Sequence, residues 1–271
     1  MSANPVREKV DMYNTSYSQL EHPVYREIRI AAYGADHGQT SWASLEEFTE
    51  IARLLELTEK SAALEIGCGT GGCALHFAES IGCHVTGFDV NPEGIKSANA
   101  QAFSKSLQSR VSFLLHNAAT QLPFTGATFD AIYSNDAVCH IPERLAVFRE
   151  FLRVLKPGGR FVFSDALVIT GLISEEELAT RSSIGFYLFG PSGENERHLA
   201  QAGFHVLRTV DTTSSAAVIA KRRHEGRARR RDILLPIEGQ TNFDGLQRFL
   251  ACVHTLTHEQ RLSRFLYLAS K

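Results

Sequence analysis

Residues 62–72 read Ala-Ala-Leu-Glu-Ile-Gly-Cys-Gly-Thr-Gly-Gly. A short apolar stretch runs into a turn with glycine at 67, 69 and 71, and a helix is expected from Gly72 to Ser80. Without Cβ atoms at Gly67, Gly69 and Gly71, a ligand can lie against the backbone around Cys68. The helix behind the turn offers free N–H groups and a partial positive charge. Together these suit a nucleotide-like cofactor. Asp89 closes Val85-Thr-Gly-Phe-Asp-Val90, where a carboxylate either accepts from both hydroxyls of a ribose or caps the next helix. The glycines alone leave the cofactor open. Gly67-x-Gly69-x-x-Gly72 with Asp89 behind it matches a dinucleotide fingerprint, which means a nicotinamide or flavin. Glu65 argues the other way, because a carboxylate beside the glycines attracts an ammonium group and repels a pyrophosphate.

These residues need a scaffold, and the flanking pattern supplies one. Strands are expected at 62–66, 84–89, 111–115, 130–134 and 160–166, with helices at 72–80, 92–108 and 142–154 between them. Pro142 suits the first turn of the last helix. Short apolar strands alternating with helices give a parallel sheet covered on both faces, with ligands at the carboxyl ends of its strands. The turns after Ile66, Asp89, Leu115 and Ser134 then converge on one place. Ser44-Leu-Glu-Glu47 reads as a capping box for an amphipathic helix to Leu57. Ser174-Glu-Glu-Glu177 opens a helix to Ser183, followed by the aromatic run Phe186–Phe189. Further on come a helix at 194–202, a strand at 204–211, helices at 213–232 and 242–256, and a final strand at 264–269.

More features appear in order: Leu115-His-Asn-Ala118, Leu122-Pro-Phe124, Phe129-Asp-Ala-Ile-Tyr-Ser134 and Arg153-Val-Leu-Lys-Pro-Gly-Gly-Arg160. With Glu65-x-Gly67-x-Gly69-x-Gly71, they closely resemble class I S-adenosylmethionine-dependent methyltransferases over residues 60–166. The broader pattern is loosely similar to the sarcosine/dimethylglycine, phosphoethanolamine and sterol group. The resemblance implies an α/β fold, a Rossmann-like seven-stranded methyltransferase sheet with its last strand antiparallel. It implies N-terminal cap helices in 1–57. A methyltransferase domain would fill 58–271, with a cap insertion at 167–192 and extra helices at 213–256. It also implies S-adenosylmethionine as cofactor and S-adenosylhomocysteine as product. Glu65 would then hold the methionine ammonium, Asp89 the ribose, and Val90 the adenine face. Asn117 stands where the family usually has Asp, and its amide oxygen can still accept from adenine beside the Ala118 N–H. Ser134 and Asn135 would close the methionine end. Tyr33-Gly-Ala-Asp-His-Gly-Gln-Thr-Ser-Trp42 resembles a family cap in which Gln39 contacts the cofactor; a surface loop with Trp42 packed as core is the alternative.

The acceptor side is less defined. Methyl transfer to a hydroxyl or a protonated amine needs a base. His140, just beyond the fourth strand, is either that base or a residue ordering the next helix. Asp136 is a weaker candidate for gripping a substrate. Tyr13, Tyr17, Phe186 and Tyr187 are pocket walls or simple packing. The chain has 271 residues, 44% hydrophobic, with net charge −2, enough for a large core and no sign of a global nucleic-acid surface. No apolar run reaches a membrane span and no signal core opens the chain, so a cytoplasmic protein, monomer or homodimer, is expected. The five cysteines lack metal-ligand spacing, so no metal is expected. The basic run 221–231 leaves an alternative, an RNA or protein methyltransferase docking on that surface. A NAD-dependent oxidoreductase is the remaining alternative.

Overall fold

The computed structural model describes residues 10–271. Three helices precede the sheet: α1 (Tyr13–Ser18), α2 (Pro23–Tyr33) and α3 (Leu45–Leu54). The alternating core follows as β1 (Ala62–Ile66), α4 (Gly72–Ser80), β2 (His84–Asp89), α5 (Pro92–Ser104), β3 (Val111–Leu115), β4 (Phe129–Asn135), α6 (Arg144–Val154) and β5 (Leu155–Ile169). Then come α7 (Glu175–Arg181), the two-residue β6 (Gly190–Pro191), α8 (Glu194–Ala202) and β7 (His205–Asp211). Helices α9 (Thr213–Ala228), α10 (Arg231–Glu238) and α11 (Gln240–His258) lead to β8 (Leu262–Ser270).

The sheet runs β3-β2-β1-β4-β5-β8-β7, with β6 on β5 outside that path. β8 is antiparallel to both neighbours, and the pairs among β1–β5 are parallel. These are the expected seven strands with the last one antiparallel, plus one extra bridge. Period-two alternation sorts the side chains. Leu64, Ile66 and Ile132 face Phe148, Phe151, Phe161 and Leu199. Ala63, Ala131 and Tyr133 face Ala74, Phe77 and Phe113. In the parallel register Glu65 pairs with Tyr133, so a carboxylate and a phenol meet on one face inside the core. A third cluster joins Met12, Tyr33, Trp42, Ile184 and Phe249, which seats the N-terminal segment and α11 over the carboxyl end of the sheet.

Several boundaries differ from expectation. The helix expected over 142–154 begins at Arg144, after a 3-10 turn at Val138–His140, so Pro142 lies before its first turn. The helix expected over 213–232 breaks after Ala228 and restarts at Arg231. Leu155-Lys-Pro-Gly-Gly is already strand: Leu155 pairs with Phe129, and the register shifts before Arg160 pairs with Ala131. Helix 92–108 stops at Ser104. The box at Ser174 is complete, with Glu177 reaching back. At Ser44 the hydroxyl caps Glu47 N, but the Glu47 carboxylate goes to Arg264 instead.

Candidate active site

The turn after β1 is held by the next strand. The N–H groups of Gly67 and Cys68 donate to Phe88 O at 2.9 and 3.0 Å. Gly69 N donates to Asp89 Oδ2 at 2.8 Å, and Asn91 N to Oδ1 at 2.8 Å. Asp89 therefore fixes the glycine turn while each oxygen keeps a second lone pair. A Cβ at Gly67 would lie 2.3 Å from Ala137 Cβ, and φ there is +70°. At Gly72 a Cβ would lie 1.6 Å from the His37 carbonyl oxygen, so the strap before α3 crosses the helix start in backbone contact. That close approach explains the third glycine of the apparent dinucleotide fingerprint.

A cavity of about 500 Å³ opens here. Its wall includes Gln39, Trp42, Glu65, Gly67, Cys68, Gly69, Asp89, Val90, Asn117, Ala118 and Asn135 among the expected cofactor residues. Gly71 and Ser134 are not part of it. Gly71 packs with Phe113, whose Cζ would lie 2.5 Å from a Cβ, and it caps α4 in the left-handed region. Ser134 Oγ donates to Ile66 O at 3.0 Å, tying β4 to β1. Glu65 is buried, and its one side-chain partner is the Tyr133 hydroxyl at 3.2 Å. Burial pushes its carboxyl up to about 8. Both polar atoms of the Asn135 amide are buried without a partner. Val90 is 65% exposed although it belongs to the cavity wall. Asn117 Oδ1 accepts from Ala119 N at 2.9 Å, which fixes its turn, and Gln39 Oε1 likewise accepts from His37 N at 2.8 Å.

At the other end, His140 Nδ1 lies 2.8 Å from Phe186 O, and Nε2 lies 2.9 Å from the Tyr13 hydroxyl. The carbonyl requires a proton on Nδ1, so neutral His140 accepts from Tyr13 O–H at Nε2. Burial lowers the His140 pKa, which favours that neutral form. Tyr187 packs on the imidazole at 4.3 Å between ring centroids. Asp136 is tied into the fold. Its Oδ2 accepts from Trp42 N at 2.8 Å and its Oδ1 from Arg264 Nε at 2.8 Å. Arg264 is fully buried and also pairs with Glu47 at 2.6 Å. Asp136 lines the cavity, and each of its oxygens also anchors another segment, one the Trp42 backbone and one the buried Arg264.

The model of a methyltransferase domain matches residues 64–163. A phosphoethanolamine N-methyltransferase of Triticum aestivum is 30% identical over 84% of this chain and 45% of its own length. An O-methyltransferase of Aspergillus nomiae is 30% identical over 81% of this chain and 99% of its own length. The chain is a class I S-adenosylmethionine-dependent methyltransferase. It spans under half the length of the wheat protein and nearly all of the fungal one. The fold matches a Haemonchus contortus phosphoethanolamine N-methyltransferase, with a TM-score of 0.78 at 21% identity over 97% of this chain and 61% of the other. That structure contains phosphomonomethylethanolamine and S-adenosylhomocysteine.

The methyltransferase cavity fits its cofactor chemically. Glu65 is a buried carboxylate that lacks a cation, Asn135 is an amide that lacks partners, and Val90 is an exposed apolar side chain next to the carboxylate of Asp89. Part of the basic run 221–231 is taken up by contacts within the fold, while Lys221, Arg222, Arg229 and Arg231 stay exposed. Arg223 donates to Thr40 O at 3.0 Å and lies 5.1 Å over the Trp42 ring. Arg227 pairs with Glu238 at 2.9 Å, Arg229 with Glu225 at 3.2 Å and Arg230 with Glu27 at 3.0 Å. The sequence reading omitted Arg181, His116 and Cys139 from the site, and all line the cavity. For Arg181 the available signal was a lone cation ahead of the aromatic run at 186–189. Among the described residues no helix is long and apolar enough to cross a membrane.

Proposed function

We propose that this methyltransferase moves a methyl group to a nitrogen, oxygen or carbon of a small molecule, with Tyr13 and His140 handling the proton. Bound S-adenosylmethionine supplies a methyl group on a cationic sulfur, already activated for displacement. Glu65 and Asn135 would hold its methionine end, the glycine turn and Asp89 its ribose, and Val90 with Asn117 and Ala118 its adenine. Glu65 gains a counter-charge on binding, which offsets its burial.

The remaining task is to position the acceptor and take its proton. The Tyr13 hydroxyl lines the same cavity as the glycine turn. As the acceptor loses a proton to the Tyr13 oxygen, Tyr13 passes its own proton to His140 Nε2, leaving a neutral phenol and an imidazolium. The Phe186 carbonyl holds the ring during that transfer. The single observation carrying this reading is the 2.9 Å Tyr13–His140 contact in a cavity shared with Glu65 and Asp89. The helices of residues 10–57 and the segment 167–192 would serve as caps that exclude water. Enclosure favours a free metabolite over a macromolecule, and the protein would act in the cytoplasm as a monomer or homodimer.

A screen of metabolites with methyl-labelled S-adenosylmethionine tests the reading. Label should pass to a small molecule, and Tyr13→Phe should slow the transfer. Label passing only to RNA or protein, or to nothing while the cofactor binds, would sink it.

A further inference from the structure

Among the described residues five arginines are buried, and four have a carboxylate partner. Arg29 has Asp36, Arg144 has Asp165, Arg227 has Glu238, and Arg264 has Glu47 and Asp136. Arg181, 1% exposed, forms no ion pair among the described residues. Its Nε and Nη1 are buried without any hydrogen-bond partner. The guanidinium lies 4.5 Å over the Tyr187 ring and 5.1 Å over Phe249. Those ring faces recover only part of the cost of taking a permanent cation out of water. The nearby phenols cannot supply the missing charge, since burial pushes Tyr13 and Tyr187 toward the neutral form. Yet Arg181 lines the cavity, beside Tyr13 and Tyr187.

We propose that Arg181 is the seat for an oxyanion, a carboxylate or phosphate, carried by the methyl acceptor. This rests on the methyltransferase reading of the cavity and narrows its substrate class. A buried guanidinium presents fixed donors that match planar carboxylate or phosphate oxygens, and in a dry site one charge-assisted pair orients the whole acceptor. Glu65 and Asp89 sit at the cofactor end and Arg181 at the acceptor end. An acceptor with an anionic head is drawn to Arg181 and held away from the carboxylates.

The test uses the full chain saturated with S-adenosylhomocysteine. Calorimetry compares benzoate with benzamide, butyrate with butyramide, and inorganic phosphate, on wild type and on Arg181→Met. At least one anion should bind, a carboxylate about 10- to 100-fold more tightly than its amide, and that binding should disappear in Arg181→Met. Binding of carboxylates alone identifies a carboxylic acid acceptor, and binding of phosphate alone a phosphate ester. If no anion binds, or if anion binding survives in Arg181→Met, the proposal is overturned. Melting of the ligand-free proteins gives a second reading. Arg181→Met should melt close to wild type, because the buried cation it removes has only ring faces and no carboxylate to offset its burial. A clear fall, or failure to fold, would make Arg181 a structural support and overturn the proposal. Anion binding by a chain that does not take up S-adenosylhomocysteine would overturn the cofactor assignment while leaving the anion seat standing.

Discussion

The Tyr13 hydroxyl lies 2.9 Å from Nε2 of His140, and the opposite ring nitrogen faces the Phe186 carbonyl. One hydrogen bond thus joins the N-terminal helix to the loop after the fourth strand. The other joins that loop to the segment before β6. If the pair acts as one proton acceptor, its members should not contribute independently. Tyr13→Phe and His140→Ala should each lower single-turnover methyl transfer about 100-fold, and the double variant little further. Affinity for S-adenosylhomocysteine should stay unchanged in all three. Multiplicative losses would show separate roles.

Glu65 makes a prediction about pH. Its carboxyl is raised from 4.5 to about 8 by burial. Between those values the folded, ligand-free protein binds more protons than the unfolded chain, so stability falls as pH rises through that window. Urea titrations should show this slope in wild type and lose much of it in Glu65→Gln. A cationic cofactor reverses the preference, because it favours the carboxylate. Near pH 7, S-adenosylmethionine binding should therefore release about one proton, and affinity should rise about tenfold per pH unit toward pH 8. Calorimetry in buffers of different ionisation enthalpy measures that proton directly. Equal heats in all buffers would contradict the pairing.

Much of the sheet was legible because its signals are local. The alternation of strands, the glycine turn and the helix starts each depend on residues a few positions apart. The sequence could also place Glu65, Asp89 and Asn135 together, since parallel strands bring their carboxyl ends to one edge. What stayed hidden depends on distant pairing. Asp136 looked free until Arg264, 128 residues away, closed on it. Tyr13 read as a pocket wall or simple packing, and nothing local says that its hydroxyl meets His140, 127 positions on. Gly72 matched a dinucleotide pattern by accident of spacing, because the His37 carbonyl presses on it from another segment.

The anchoring contacts of Asp136 are testable. Its backbone is in the left-handed region with φ +55°, a conformation that Asn tolerates. Asp136→Asn preserves shape and can still accept from Trp42 N, but it removes one charge from the buried Arg264 group. We expect a loss of about 2 kcal/mol in unfolding free energy with no change in KM for the acceptor. A large rise in KM at unchanged stability would return Asp136 to the substrate.

Gly69 separates space for the cofactor from backbone strain. Its φ is +52°, and a Cβ there would lie 2.9 Å from the Tyr17 hydroxyl. Gly69→Ala therefore carries the left-handed penalty of about 1–2 kcal/mol and a clash with Tyr17 as well. Combining it with Tyr17→Phe removes the hydroxyl and should recover part of the lost melting temperature, leaving the backbone term. Gly69→Val, whose branches project further toward the cavity, should abolish S-adenosylhomocysteine binding with or without the Tyr17 change. Wild-type affinity in Gly69→Val would mean that the cofactor does not lie against this turn.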